Sequence, residues 1–253
     1  MGRRPIGKRA IAAAILLAAA CEARQPLAPT ALGPSSPEPS AVELHDAPVA
    51  QEQANIRVLC FGDSFTYGTT HRAAPGLATL SPIEGYIPKL QRLLRGASDH
   101  TFSFVNSGLG GEDTSEGLAR LPAELRIYNP DLVLLWLGIV DVNTNEKARF
   151  TVARNNLAAM MEMIDEEGAQ VVIGTFPPMN PDGFRALKPE HVPRLNDIIR
   201  QEANAQQVPI AGHERAFGND LTLIGTDGLH PNDNGYQVIA ETWFDVIQEL
   251  RLP

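Results

Sequence analysis

Five short runs rich in branched and aromatic side chains, separated by stretches of helical period, constrain this chain most strongly. The runs are Ile56–Phe61, Thr101–Val105, Asp131–Trp136, Ala169–Phe176 and Val208–Ala211. Four to eight residues is strand length, and an apolar run of that size reads as a buried strand. Between them apolar residues recur three and four apart: Ile87, Leu90, Leu93 and Leu94; Leu157, Met160, Met161 and Ile164; Val192, Leu195, Ile198 and Ile199. A last helical stretch runs from about Gly235 through Val238, Ile239, Trp243, Val246 and Ile247 to Leu250. Alternating strands and helices give a parallel sheet, and each crossover helix covers one of its faces. The expected class is α/β, with a central parallel sheet of about five strands.

The first run leads straight into Gly62-Asp63-Ser64-Phe65, so Ser64 falls at the carboxyl edge of the sheet, where open α/β sheets place their ligands. Near the other end stands Asp227-Gly228-Leu229-His230-Pro231. Serine, histidine and carboxylate are the three side chains of a nucleophilic acyl-transfer site, and the Asp-x-x-His spacing lets one loop hold the base and its orienting acid. Alone, Ser64 would read as a helix N-cap and His230 as a surface histidine; the company of Asp227 favours the chemical reading. Asp63 is expected to point away and make a structural hydrogen bond, and Asp141 to cap a helix. His45, His71, His100, His191 and His213 have no such carboxylate nearby and are expected to face solvent. Cys60, inside the first strand, reads as a small buried hydrophobe. No His, Cys or Asp cluster has metal-ligand spacing, no cofactor is expected, and no Gly-x-Ser-x-Gly elbow is present.

Three blocks in order resemble the GDSL, or SGNH, hydrolases over residues 56–253. They are Phe61-Gly62-Asp63-Ser64-Phe65-Thr66-Tyr67-Gly68, with Phe65 where the name-giving motif has Leu; Val105 to Thr114, running on to Leu121; and Asp227 to Pro231. The middle block is similar to that of bacterial arylesterases and lysophospholipase-thioesterases. The resemblance implies a flavodoxin-like three-layer α/β/α sandwich. It also implies a Ser64–His230–Asp227 triad, with oxyanion donors at the N–H groups of Ser64 and Gly111. One block departs: where the family reads Gly-x-Asn-Asp, this chain has Gly138-Ile139-Val140-Asp141, so Val140 replaces an oxyanion-binding Asn. Asn143, three residues on, is the candidate replacement donor. The implied activity is hydrolysis of small-molecule, glycan or lipid esters. The alternatives are O-acyl transfer to a carbohydrate acceptor, or a non-catalytic cell-surface module that keeps the fold. Substrate choice is expected to reside in the Gly- and Pro-rich stretches 68–82 and 177–189.

The formal net charge of −9 argues against a nucleic-acid partner, whose binding would rest on basic clusters. The positive charge that exists is uneven: Arg3, Arg4, Lys8 and Arg9 precede an apolar stretch from Ala10 to Ala20. That stretch is short of the roughly 20 residues a membrane span needs, and the pattern reads as a signal peptide over 1–20. It ends Leu17-Ala18-Ala19-Ala20-Cys21, which resembles a lipobox with Cys21 as the lipidated residue. An ordinary cleavage site would instead release a soluble secreted protein. Residues 21–55, with prolines at 26, 29, 34, 37, 39 and 48 and no apolar period, read as a disordered tether. An exported, membrane-anchored hydrolase is the expected arrangement.

Overall fold

The computed structural model describes residues 54–71, 78–80 and 85–252; the segment expected to be a signal peptide, Cys21, His45 and nearly all of the expected tether lie outside them. In chain order the elements are β1 (Asn55–Gly62), α1 (Ser64–Tyr67), β2 (Thr69–His71), β3 (Ala78–Leu80), α2 (Tyr86–Leu94), β4 (Thr101–Gly108), α3 (Thr114–Tyr128) and β5 (Leu132–Trp136). They continue with α4 (Ile139–Val142), α5 (Phe150–Glu166), β6 (Gln170–Gly174), α6 (Val192–Gln206), β7 (Ile210–Ala211), α7 (His213–Phe217) and α8 (Asp233–Glu249). The sheet runs β4-β1-β5-β6-β7, parallel throughout. The expected five-stranded α/β sandwich is the observed fold.

Position in the sheet follows from apolar pattern. Every residue of β5 is buried, as suits a central strand covered on both faces, whereas β4 alternates and lies at the edge. Helices α3, α5 and α6 pack in a row, and α2 packs against α8, which in turn contacts α7. The core is continuous, and its centre is aromatic: Trp136 stacks with Phe176 at 5.5 Å and meets Phe65 edge-on at 5.1 Å. The first two strands of this sheet, β1 and β4, are neighbours, after which the chain crosses β1 to lay down β5 on its other side. The reversal opens a crevice beyond the carboxyl ends of β1 and β5, the switch point at which such sheets bind ligands.

Two features had no counterpart in the apolar pattern. A two-stranded antiparallel ribbon, β2 with β3, follows α1 within the loop at 68–82. Helix α3 carries Pro122 in its interior, which interrupts the helical reading there. Its start is nonetheless written in the sequence as a capping box: the Asp113 carboxylate accepts from Ser115 and Glu116 N–H, and Glu116 accepts from Asp113 N–H.

Candidate active site

Ser64 is the first residue of α1, separated from the end of β1 by Asp63 alone. The cap of that short helix is Asp63 and not Ser64: its Oδ1 accepts from Phe65 N–H at 2.9 Å, which leaves the serine hydroxyl free for other work. Asp63 is fully buried, and its Oδ2 has no hydrogen-bond partner. Burial, with Glu112 and Asp141 nearby, pushes its carboxyl up to about 8 against the Phe65 bond. The folded chain therefore holds a proton here between about pH 4 and 8 that the unfolded chain has released. Stability from this group is lost as pH rises through that window. Asp63→Asn keeps the cap acceptor and removes the titration. It is expected to gain on the wild type by on the order of a few kcal/mol between pH 5 and 8, read from urea denaturation at both pH values. An unchanged difference would mean that Asp63 does not titrate there.

The loop before α8 brings His230 and Asp227 to Ser64. His230 Nε2 is 2.8 Å from Ser64 Oγ, and His230 Nδ1 is 2.6 Å from Asp227 Oδ2. The second carboxylate oxygen of Asp227 accepts the N–H groups of Leu229 and His230, each at 3.0 Å. Burial, the largest influence, raises the Asp227 pKa, but these hydrogen bonds together outweigh it and hold the group below the usual carboxylate range. Asp227 thus stays ionised and accepts from Nδ1–H, so Nε2 presents its lone pair to the serine. The loop turns through Gly228 at φ 80°, where a Cβ would lie 2.4 Å from the Asn180 carbonyl. Asp227 and His230 are buried, and Ser64 nearly so at 8% exposure.

The end of β4 supplies the other wall. Leu109 N–H reaches the Gly62 carbonyl at 2.9 Å, and the chain turns through Gly111 at φ 83°, a conformation that favours glycine. Among the described residues, the N–H groups of Ser64 and Gly111 have no hydrogen-bond acceptor. The turn is braced from below by Arg120. Its guanidinium lies 3.8 Å from the Phe61 ring centroid and binds both Glu112 oxygens, the Ser107 carbonyl and the Gly62 carbonyl. One side chain thereby ties the exit of β1 to the exit of β4.

From the exit of β5 come Ile139, Val140 and Asn143. These join Ser64, Gly110, Gly111, Arg185, Leu229 and His230 around a cleft of about 390 Å³. Asn143 lines it, but its amide is engaged elsewhere: Nδ2 donates to the Arg185 carbonyl at 2.8 Å, and Oδ1 accepts from Leu187 and Lys188 N–H at 2.8 and 3.0 Å. A larger cleft, of about 680 Å³ beside Met161, Gln170 and Pro209, lies toward the amino ends of β6 and β7 and is lined by no serine, threonine, cysteine or histidine among the described residues.

Several sequence expectations are corrected. Asp141 does not cap its own helix, whose N-cap is Gly138; from within α4 it reaches across to the first turn of α3, accepting from Thr114 N–H at 2.9 Å and Thr114 Oγ1 at 3.0 Å. His213 does not face solvent. It is fully buried between Trp136 and Trp243, neither ring nitrogen has a hydrogen-bond partner, and burial pushes its pKa down to about 3. His191 is half-buried with Nδ1 at 2.8 Å from the Val142 carbonyl, and His100 is half-buried against Phe102. The His71 side chain lies outside what the structure describes. Cys60 is buried as expected, and desolvation raises its thiol to about 12.

Comparison with known proteins gives a family and a fold. A model of the GDSL-like lipase/acylhydrolase family matches residues 60–238. An arylesterase of Vibrio mimicus is 31% identical over 209 residues, covering 79% of this chain and 91% of the relative. Esterase TesA of Pseudomonas aeruginosa is 30% identical over 185 residues, covering 72% and 83%. Among solved structures, a carbohydrate acetylesterase from Sinorhizobium meliloti superposes with TM-score 0.67 at 20% identity, over 78% of this chain and all of that one. An inhibitor-bound aryl esterase from M. smegmatis gives TM-score 0.62 at 19% identity, over 78% and 100%. Likeness at those identities is a likeness of fold.

Proposed function

The chain belongs to the GDSL-like lipase/acylhydrolase family, and we propose that it hydrolyses carboxylic esters through an acyl-enzyme on Ser64. The observation that carries the mechanism is the unbroken contact Ser64 Oγ–His230–Asp227 at 2.8 and 2.6 Å. His230 Nε2 takes the hydroxyl proton as Oγ attacks the ester carbonyl, because a free serine is too weakly acidic to react unaided. Asp227 fixes the imidazole tautomer and stabilises the imidazolium. The tetrahedral oxyanion lies against the N–H groups of Ser64 and Gly111, both without another acceptor. Collapse breaks the C–O bond and His230 returns its proton to the leaving alcohol. Water then adds to the acyl carbonyl, losing its proton to His230, and Ser64 is regained. Short acyl, aryl and acetyl esters are the substrates we assign. Turnover of a short-chain aryl ester, with a fluorophosphonate label mapped to Ser64, tests the assignment; a label on any other residue would refute it.

In this reading Val140 supplies no third oxyanion donor, and Asn143 keeps at most one N–H uncommitted. Val140 stands at the donor position, and the Asn143 amide clamps the 185–188 segment. Val140→Asn is therefore expected to raise kcat, by less than the 10² to 10³ typical of one built-in donor, since no neighbouring group holds the new amide. A kcat within twofold of the wild type on the same aryl ester would mean that two N–H groups suffice.

We also propose export and lipid anchoring at Cys21, because a basic and then apolar stretch ends at that cysteine. No helix among the described residues is long and apolar enough to cross a membrane. Cys21→Ser is expected to move the protein from the membrane to the soluble fraction. Unchanged fractionation would exclude a lipid on Cys21.

A further inference from the structure

Among the described residues that line the Ser64 cleft, Arg185 alone carries a fixed positive charge, and nothing in the mechanism uses it. Its backbone is held on both sides: N–H donates to the Asp227 carbonyl at 2.8 Å, and its own carbonyl accepts from Asn143 Nδ2 at 2.8 Å. The segment is thus pinned to the catalytic loop and to the exit of β5. The side chain is held only loosely, its Cζ lying 5.8 Å from the centroid of the Phe184 ring, a contact that leaves the N–H fork free. Its nearest carboxylate is Asp227, at 4.0 Å from Nε, and both Asp227 oxygens are already engaged by His230 and Leu229. Among the described residues, no acceptor lies within hydrogen-bond distance of the Arg185 guanidinium, which is about half exposed.

An arginine with its backbone immobilised and its fork unfilled is suited to a planar anion, because two parallel N–H donors match a carboxylate. The rest of the wall, formed by Ile139, Val140 and Leu229, suits a short carbon chain between that anion and the scissile ester. We infer that Arg185 makes the site selective for esters bearing a carboxylate a few carbons from the reacting carbonyl or its oxygen. This rests on the esterase assignment above. The anion can sit on the acyl half or on the alcohol half, so the test has an arm for each.

In the first arm, phenyl hemiadipate is compared with phenyl hexanoate; in the second, 4-acetoxybenzoate with phenyl acetate. With Arg185→Gln, kcat/KM is expected to fall about 10- to 100-fold for the anionic ester of at least one arm, the range of one charge-assisted hydrogen-bonded pair, while the neutral esters change less than about threefold. In the wild type, rising salt should lower kcat/KM for the anionic ester alone. Equal changes for charged and neutral esters in both arms would overturn the inference and make Arg185 a structural residue. Calorimetry with non-hydrolysable anilides of the same shapes separates recognition from turnover. Anion-selective binding without turnover of any ester would defeat the esterase assignment and leave the anion site standing. Turnover of all four esters without discrimination would do the reverse.

Discussion

Ser64→Ala is expected to lower ester turnover by about 10⁴-fold or more, with little change in melting temperature. The size follows from the chemistry: without Oγ no acyl-enzyme forms, and what survives is water attack helped by the oxyanion donors alone. Cys60 cannot stand in as nucleophile, since it lies buried within β1 with its thiol raised to about 12. The small effect on stability follows from the local structure. Asp63, not Ser64, caps α1, so the substitution removes one contact with His230 and no backbone partner. Measuring kcat and a thermal melt on one preparation keeps the two consequences apart. A variant retaining a tenth of wild-type activity, or one that no longer folds, would contradict this account.

Asp227→Asn should cost about 10⁴-fold in kcat, the size seen when the orienting acid of a serine triad becomes an amide. The direction can be read from the contacts. One carboxylate oxygen accepts two N–H groups, from Leu229 and His230, so the amide oxygen must take that side. The amide nitrogen then faces His230 Nδ1, now occupying the place of Oδ2 at 2.6 Å. Nδ1 is forced to accept, the ring proton moves to Nε2, and the imidazole can no longer take the serine proton. The loop keeps its backbone bonds, so the melt should move far less than the rate. A loss of under tenfold would mean that His230 finds its working tautomer without Asp227.

Much of this was legible in the sequence because it depends on neighbours along the chain. The β5 run is apolar throughout and lies at the centre of the sheet; Ser64 stands two residues past the end of β1; Asp227 and His230 share one turn. What escaped depends on partners far away in sequence. His213 looks polar and lone until Trp136 and Trp243 close around it. Asp141 serves a helix 27 residues upstream, and the amide of Asn143 is claimed by a segment more than 40 residues downstream. Helix α3 is a different case: Pro122 hid it, although Asp113-Thr114-Ser115-Glu116 announced its start.

The bond between Ser64 and His230 joins residues 166 apart, and this fixes when during synthesis the protein can become active. A growing chain that has reached α6 already holds the sheet strands that present Ser64 and Gly111, but it has no base. Only after the loop at 227–231 is made, and α8 docks against α2, does the serine acquire a partner able to take its proton. Parallel sheets with long crossovers close such distant contacts late. On the proposed mechanism Ser64 therefore lacks a base until that loop docks, and unfinished or C-terminally clipped copies carry a serine that cannot attack esters around them.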